Sequence, residues 1–258
     1  MLDTSLLYDG ALGGLVGLAL GLLGGGGSVL AVPLLALGVG LDDKSALTAS
    51  LLVVAASALS GGIPRILTKS IDYRAAAIFA AAGASSSYLF SLASRPLPAD
   101  IQVSLLAVTM VISGSLMLRK LRQGAATAAA TEVAKPSLPR TIAAATGAGA
   151  LTGVTSIGGG FIIVPALIVG AGVHVDVAVG TSLLVITVNA LASFLGRANR
   201  EAAYDMRVLA FGIGAVVISL LGARVASGLR SSTKTRIMGT ILVVVGIGMI
   251  ARTAYRAL

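Results

Sequence analysis

Gly24-Gly25-Gly26-Gly27-Ser28-Val29-Leu30-Ala31-Val32-Pro33 is met again, altered, as Thr155-Ser156-Ile157-Gly158-Gly159-Gly160-Phe161-Ile162-Ile163-Val164-Pro165. Each copy interrupts a long apolar segment. Glycine costs a helix interior about 1 kcal/mol per residue relative to alanine, so three or four in a row break the helix. At membrane depth a break is tolerated only where protein or a watery cavity satisfies the freed backbone groups. Two breaks in one chain imply two such places, facing each other.

The chain of 258 residues is 56% hydrophobic and 11% charged, with mean hydropathy +0.98. A soluble domain carries about 25% charged residues, so the chain reads as an integral membrane protein. Cysteine is absent, which excludes disulfides, thiol catalysis and thiolate metal sites. His174 is the single histidine, so no metal centre and no cofactor are expected. The net charge of +9 fits basic loops between apolar segments better than a nucleic-acid surface. The start, Met1 to Ser5, has no basic region, so no cleaved signal peptide is expected.

Stretches of about 20 apolar residues span a bilayer. They fall at about residues 10–39, 45–63, 75–93 and 101–118, then 141–173, 177–196, 208–225 and 237–250. The fold class expected is an all-α polytopic membrane protein of about eight transmembrane helices. They form two four-helix repeats, with helices 1 and 5 broken at the glycine-rich motifs. Residues 1–118 make the first repeat, 119–140 a cytoplasmic linker with prolines at 136 and 139, and 141–258 the second repeat. At an offset of 132, Gly17 and Gly21 fall on Gly149 and Gly153, Pro33 on Pro165, Ser50 on Ser182 and Arg65 on Arg197. Asp72 meets Asp205 after one inserted residue. Such register argues for duplication, common among transporters.

With eight crossings, 13 of the 19 Lys/Arg lie in the even-numbered loops and the C-terminus. That places both termini in the cytoplasm and the halves in parallel. If each broken segment instead re-enters and leaves on its own side, the repeats are inverted and the count is 12 against 7. Charge does not separate the two; eight crossings need no special geometry and are preferred.

The half-helices begin near Ser28 and Gly160, where free N–H groups and a positive dipole end suit an anion. At 1.5 Å of rise per residue, counting along helix and return puts Ser57 and Asn189 level with the breaks. Ser50 and Ser182 lie two turns earlier on the same face. The candidate substrate-binding residues are therefore Gly25, Gly26, Gly27, Ser28, Ser50, Ser57, Thr155, Ser156, Gly158, Gly159, Gly160, Thr181, Ser182 and Asn189. All ten acidic residues fall in predicted loops, termini or helix ends, so no midplane carboxylate is expected to relay protons.

Bland readings stand beside these. Gly13, Gly17 and Gly21, and Gly149 and Gly153, read as a packing stripe. Ser85-Ser86-Ser87 reads as helix packing, and His174 as a solvated turn residue. Arg65 and Arg197 open loops and are explained by topology and lipid headgroups. An enzyme is not expected: Gly-x-Ser-x-Gly and the Gly-Lys-Ser/Thr phosphate loop are both absent.

The paired glycine motifs with their prolines, the Gly180-Thr181-Ser182-Leu183-Leu184 stretch and the two-fold layout resemble the TauE/SafE family of sulfite and organosulfonate exporters. The resemblance implies a secondary transporter of small sulfur-containing anions in the bacterial inner membrane. Gly180-Thr181-Ser182 is matched only by Thr48-Ala49-Ser50, and Asn189 by Ser57, so the half-sites differ. A passive anion channel, or a membrane subunit without transport, are the alternatives. Membrane lipid and a sulfite- or sulfonate-like anion are the expected partners. Nucleic acid is not, and a homo-oligomer is left open.

Overall fold

The computed structural model describes residues 4–68, 70–122, 137–156, 160–197, 201–225 and 231–257, and among the described residues every regular element is helical. The elements are α1 (Thr4–Leu23), α2 (Ala31–Pro33), α3 (Asp43–Leu67), α4 (Tyr73–Ala93), α5 (Ala99–Arg122), α6 (Leu138–Thr155), α7 (Gly160–Ala171), α8 (Val175–Gly196), α9 (Met206–Val225) and α10 (Ser231–Ala257). A 3-10 segment (Gly24–Leu30) leads into α2, and a π-helical turn (Leu34–Val39) leaves it. Pro33 has no N–H to give, and the helix widens directly after it. Helices α1, α3, α4, α5 and α8 are long and apolar enough to cross a membrane; α9 and α10 hold shorter apolar stretches. The chain is a multi-pass α-helical membrane protein.

Duplication is written into the caps. Gly40 and Gly172, 132 residues apart, both take left-handed φ, +84° and +68°. Each is followed by the same backbone bond across six residues, Leu41 N to Leu35 O and Val173 N to Leu167 O, both 3.2 Å. The Asp72 carboxylate accepts from Ala75 N at 2.9 Å, and that of Asp205 from Arg207 N at 2.8 Å. Both carboxylates sit at the start of a helix, where they hold free N–H groups.

Helix directions decide how the halves are related. Thr187 Oγ1 reaches Ala55 O at 3.5 Å, a β-carbon on Gly62 would lie 3.6 Å from Leu183, and one on Gly180 3.4 Å from Arg65. Numbers rise along α3 as they fall along α8, so these equivalent helices are antiparallel. The pair α5 and α10 repeats this: Gly114 lies against Gly239 and Gly246 against Ala107. The repeats are therefore inverted, and the preference for parallel four-helix halves is corrected. The physical reason is at the glycine motif. Gly27 packs on Leu20 and Gly38 on Leu12, so the chain after α1 turns back along α1. It does not continue a broken span but makes a hairpin, α1 plus its return arm, and α6 with α7 makes the second.

The halves interlock. Each hairpin helix packs on a helix of the other half, α1 on α9 and α6 on α4. Small residues permit it, as the glycine stripe implied: a β-carbon on Gly13 would lie 1.8 Å from Phe211 O, and one on Gly149 2.3 Å from Gly83 O. Ser86 and Ser87 donate to Thr146 O and Gly149 O at 2.7 and 3.0 Å, so the serine run in α4 is packing. The centre is α3 with α8, 78% and 67% buried along their spans against 33–39% for α1, α4 and α5.

One acidic residue departs from expectation. Asp9 is not a terminal residue but lies inside α1, fully buried, paired to the half-exposed Arg207 at 2.7 and 3.0 Å. Arg207 opens α9, so this bidentate pair fastens the α1–α9 contact at one end.

Candidate functional site

An inverted duplication has a two-fold axis, and only near it do equivalent residues touch. Ala55 and Thr187 are equivalents, offset by 132, and their contact places the axis at the α3–α8 crossing. Ser57 and Asn189 are the next polar pair, two residues further along each helix. Both are fully buried. Ser57 Oγ, Asn189 Nδ2 and Asn189 Oδ1 have no hydrogen-bond partner. Most buried polar groups are bonded, so three bare atoms on equivalent residues of the two central helices mark this pair out; Ser57 lies on the α3 face that meets Ser219 of α9. Asn189 faces α4 where Gly83 has no side chain; a β-carbon there would lie 2.7 Å from Nδ2. The surface grooves lie elsewhere, between α1 and α9 and along α5.

The other candidates divide into two groups. Ser50 Oγ donates to Leu47 O at 2.9 Å and reaches Ser156 O at 3.3 Å, joining α3 to the tip of the second hairpin. Ser50 lies about 10 Å along α3 from Ser57 at 1.5 Å per residue. Ser156 caps α6 in a left-handed conformation, φ 55°. Thr155 Oγ1 turns back to Leu151 O. Thr181 Oγ1 donates to Val177 O and accepts from Asp72 N at 3.0 Å, pinning the α3–α4 connection. Ser182 donates to Val179 O at 2.8 Å. Gly25 and Gly26 lie in the 3-10 turn, and Ser28 is buried and bonded. Gly27 meets the α1 backbone, where a β-carbon would lie 2.2 Å from Leu20 N, so packing alone demands glycine there. Gly160 starts α7; Gly158 and Gly159 lie outside the described residues. The 3-10 turn of the first hairpin and α7 of the second are in contact.

Sequence reasoning missed the most unusual side chain in this region. Arg197, read as a loop arginine, is only 5% exposed. Its Nη1 donates to Gln102 Oε1 at 2.6 Å, and its Nη2 to Gly153 O at 3.0 Å, Val154 O at 3.1 Å and Ser156 Oγ. It thus covers the negative C-terminal end of α6. The signal was present in its register: Arg65 stands at the equivalent position, and a topological arginine has no need to keep register. Arg65 is partly exposed and makes no side-chain hydrogen bond among the described residues.

The model of the family described as sulfite exporter TauE/SafE matches residues 10–249. The chain is 35% identical to a "Probable membrane transporter protein" of Xylella fastidiosa (strain 9a5c) over 98% of both chains. It is 34% identical to a protein of the same description in X. fastidiosa (strain Temecula1 / ATCC 700964), again over 98% of both. No solved structure matches.

Proposed function

Because the chain belongs to the sulfite exporter TauE/SafE family of membrane transporters, we propose that it moves a small oxyanion, sulfite or an organosulfonate, across the bacterial inner membrane, by alternating access around Ser57 and Asn189. The observation that carries this reading is the bare state of these two equivalent, fully buried side chains on the central helices α3 and α8. An oxyanion accepts from the Asn189 amide N–H and the Ser57 hydroxyl. Among the described residues neither side chain is hydrogen-bonded to a carboxylate. Neutral donors bind without trapping, which a carrier needs as much as a channel does. The hairpin turns add backbone N–H groups, at residues 25–27 of the first hairpin and at Gly160 of the second, where α7 presents its N-terminus. Close backbone packing against Asn189 favours a carrier over an open channel.

Sidedness follows from the inverted fold. Six helices, α3 to α5 and α8 to α10, cross, and each hairpin returns to its own side. Twelve basic residues then lie on the side of the linker and seven on the side of the termini. Of the seven, Arg207 and Arg252 are paired to Asp9 and Asp43, and Arg197 is buried. The linker side is the cytoplasmic one, and the termini, expected inside, are assigned to the outside.

Flux of sulfite and of a sulfonate into proteoliposomes tests the reading. Asn189→Leu and Ser57→Ala are expected to insert normally and to lose at least about tenfold in flux, the effect of one or two lost hydrogen bonds to a charged ligand. Wild-type flux in both variants would refute the site.

A further inference from the structure

Ser57 aside, every buried side-chain atom without a partner among the described residues lies on α8 or its cap: Asn189 Nδ2 and Oδ1, Ser193 Oγ and Arg197 Nε. The three residues are spaced i, i+4, i+8, which puts them on one helix face. At 1.5 Å per residue they climb about 12 Å, from Asn189 beside Gly83 of α4 to the end of α8. Ser193 is fully buried. Its carbonyl accepts from Ser91 Oγ at 2.7 Å, while its own hydroxyl bonds to nothing. Arg197 is a buried cation whose recorded partners, the Gln102 amide, two carbonyls and the Ser156 hydroxyl, are all neutral. A buried charge without a countercharge is costly, and in membrane proteins such charges mark ion pathways. The equivalent positions in the first repeat are Ser57, Gly61 and Arg65, which by inversion lead the other way.

We propose that the α8 face bearing Asn189, Ser193 and Arg197 is the anion's route from the central pair to the membrane face where α8 ends, with Arg197 as its charged docking residue. The inference rests on the anion-transport reading above. An arriving oxyanion takes guanidinium N–H groups now given to Gly153 O, Val154 O and Ser156 Oγ. That exchange frees the tip of the second hairpin. In the present conformation the same bonds hold the route shut, and the small-residue contacts of Gly83 and Gly196 with α8 and α4 leave it no width. Arg65, bound to no described side chain or carbonyl, is the docking residue of the opposite mouth.

The chain has no cysteine, so Ser193→Cys gives a single thiol on the route. Its modification in proteoliposomes is followed with an anionic and a cationic methanethiosulfonate of similar size. With Arg197 in place the anionic reagent is expected to react about tenfold faster, the scale of electrostatic focusing in a charged cleft. Arg197→Lys keeps the preference and Arg197→Gln brings the ratio to about one. Millimolar sulfate, as a competing oxyanion, slows the anionic reagent on the Arg197 background. That last measurement decides the matter alone if the Gln protein does not insert. Protein that carries anions but whose thiol resists both reagents, whose ratio ignores Arg197→Gln, or which sulfate does not protect, overturns the route and leaves the transport reading standing. Absence of anion flux in the wild type removes the transport reading itself.

Discussion

At Asn189 the fold leaves an amide with two bare polar atoms in its interior, where an unmet donor or acceptor costs about 1–3 kcal/mol. Leucine has nearly the same shape and no such cost. Asn189→Leu is therefore expected to raise the thermal midpoint in detergent, by the equivalent of about 1 kcal/mol, while flux falls. A site residue and a structural residue thus separate in one variant: a lower midpoint would mean that Asn189 serves the fold. The glycines behave oppositely. Gly149 has its missing β-carbon 2.3 Å from Gly83 O, a backbone atom that has no rotamer to move. Gly149→Leu is expected to cost at least about 3 kcal/mol, the upper range of overpacking, and to lower both midpoint and yield by size-exclusion profile.

At the scale of elements, the hairpins explain what was readable and what was not. Asp72 and Asp205 are paired in the sequence, and an N-cap is a local demand that a single residue answers; the left-handed turns at Gly40 and Gly172 come from the structure. The offset of 132, with one inserted residue before Asp205, pairs the carboxylates without any structure, and it also pairs Ser57 with Asn189. The direction after the break was not legible. Gly27 sits on Leu20 and Gly38 on Leu12, contacts inside one hairpin that a straight broken span would not make. Nor does local sequence say that Asp9 faces Arg207, since the pair joins residues 198 apart. Asp9 is buried and Arg207 is 43% exposed, so the loss from Asp9→Asn falls below the 3–5 kcal/mol of a wholly buried pair. About 2 kcal/mol is expected by denaturant or thermal melting. The double variant Asp9→Asn with Arg207→Gln recovers part of it, since the uncompensated guanidinium is gone.

For the molecule as a whole, inversion turns one local motif into a two-sided machine. Each half supplies one hairpin, one central helix and one arginine at that helix's end, and the halves point opposite ways. The present conformation is unequal: Arg197 is buried and bonded, while Arg65 is partly exposed and bonds to no described partner. A carrier working by alternating access, as proposed above, would pass between two such unequal states, and an inverted repeat relates the two. This depends on the crossing number, which a reporter experiment measures directly. Six crossings and two re-entrant hairpins put the linker and the C-terminus on opposite sides of the membrane, because α8, α9 and α10 cross between them. Eight crossings put both on the same side. A fluorescent protein that matures only in the cytoplasm is expected to be bright when inserted in the linker near residue 127 and dark when fused after residue 258. A periplasmic phosphatase is expected to show the reverse pattern. Bright fusions at both places would restore parallel halves, and with them the equivalence of Arg65 and Arg197 as opposite mouths would fail.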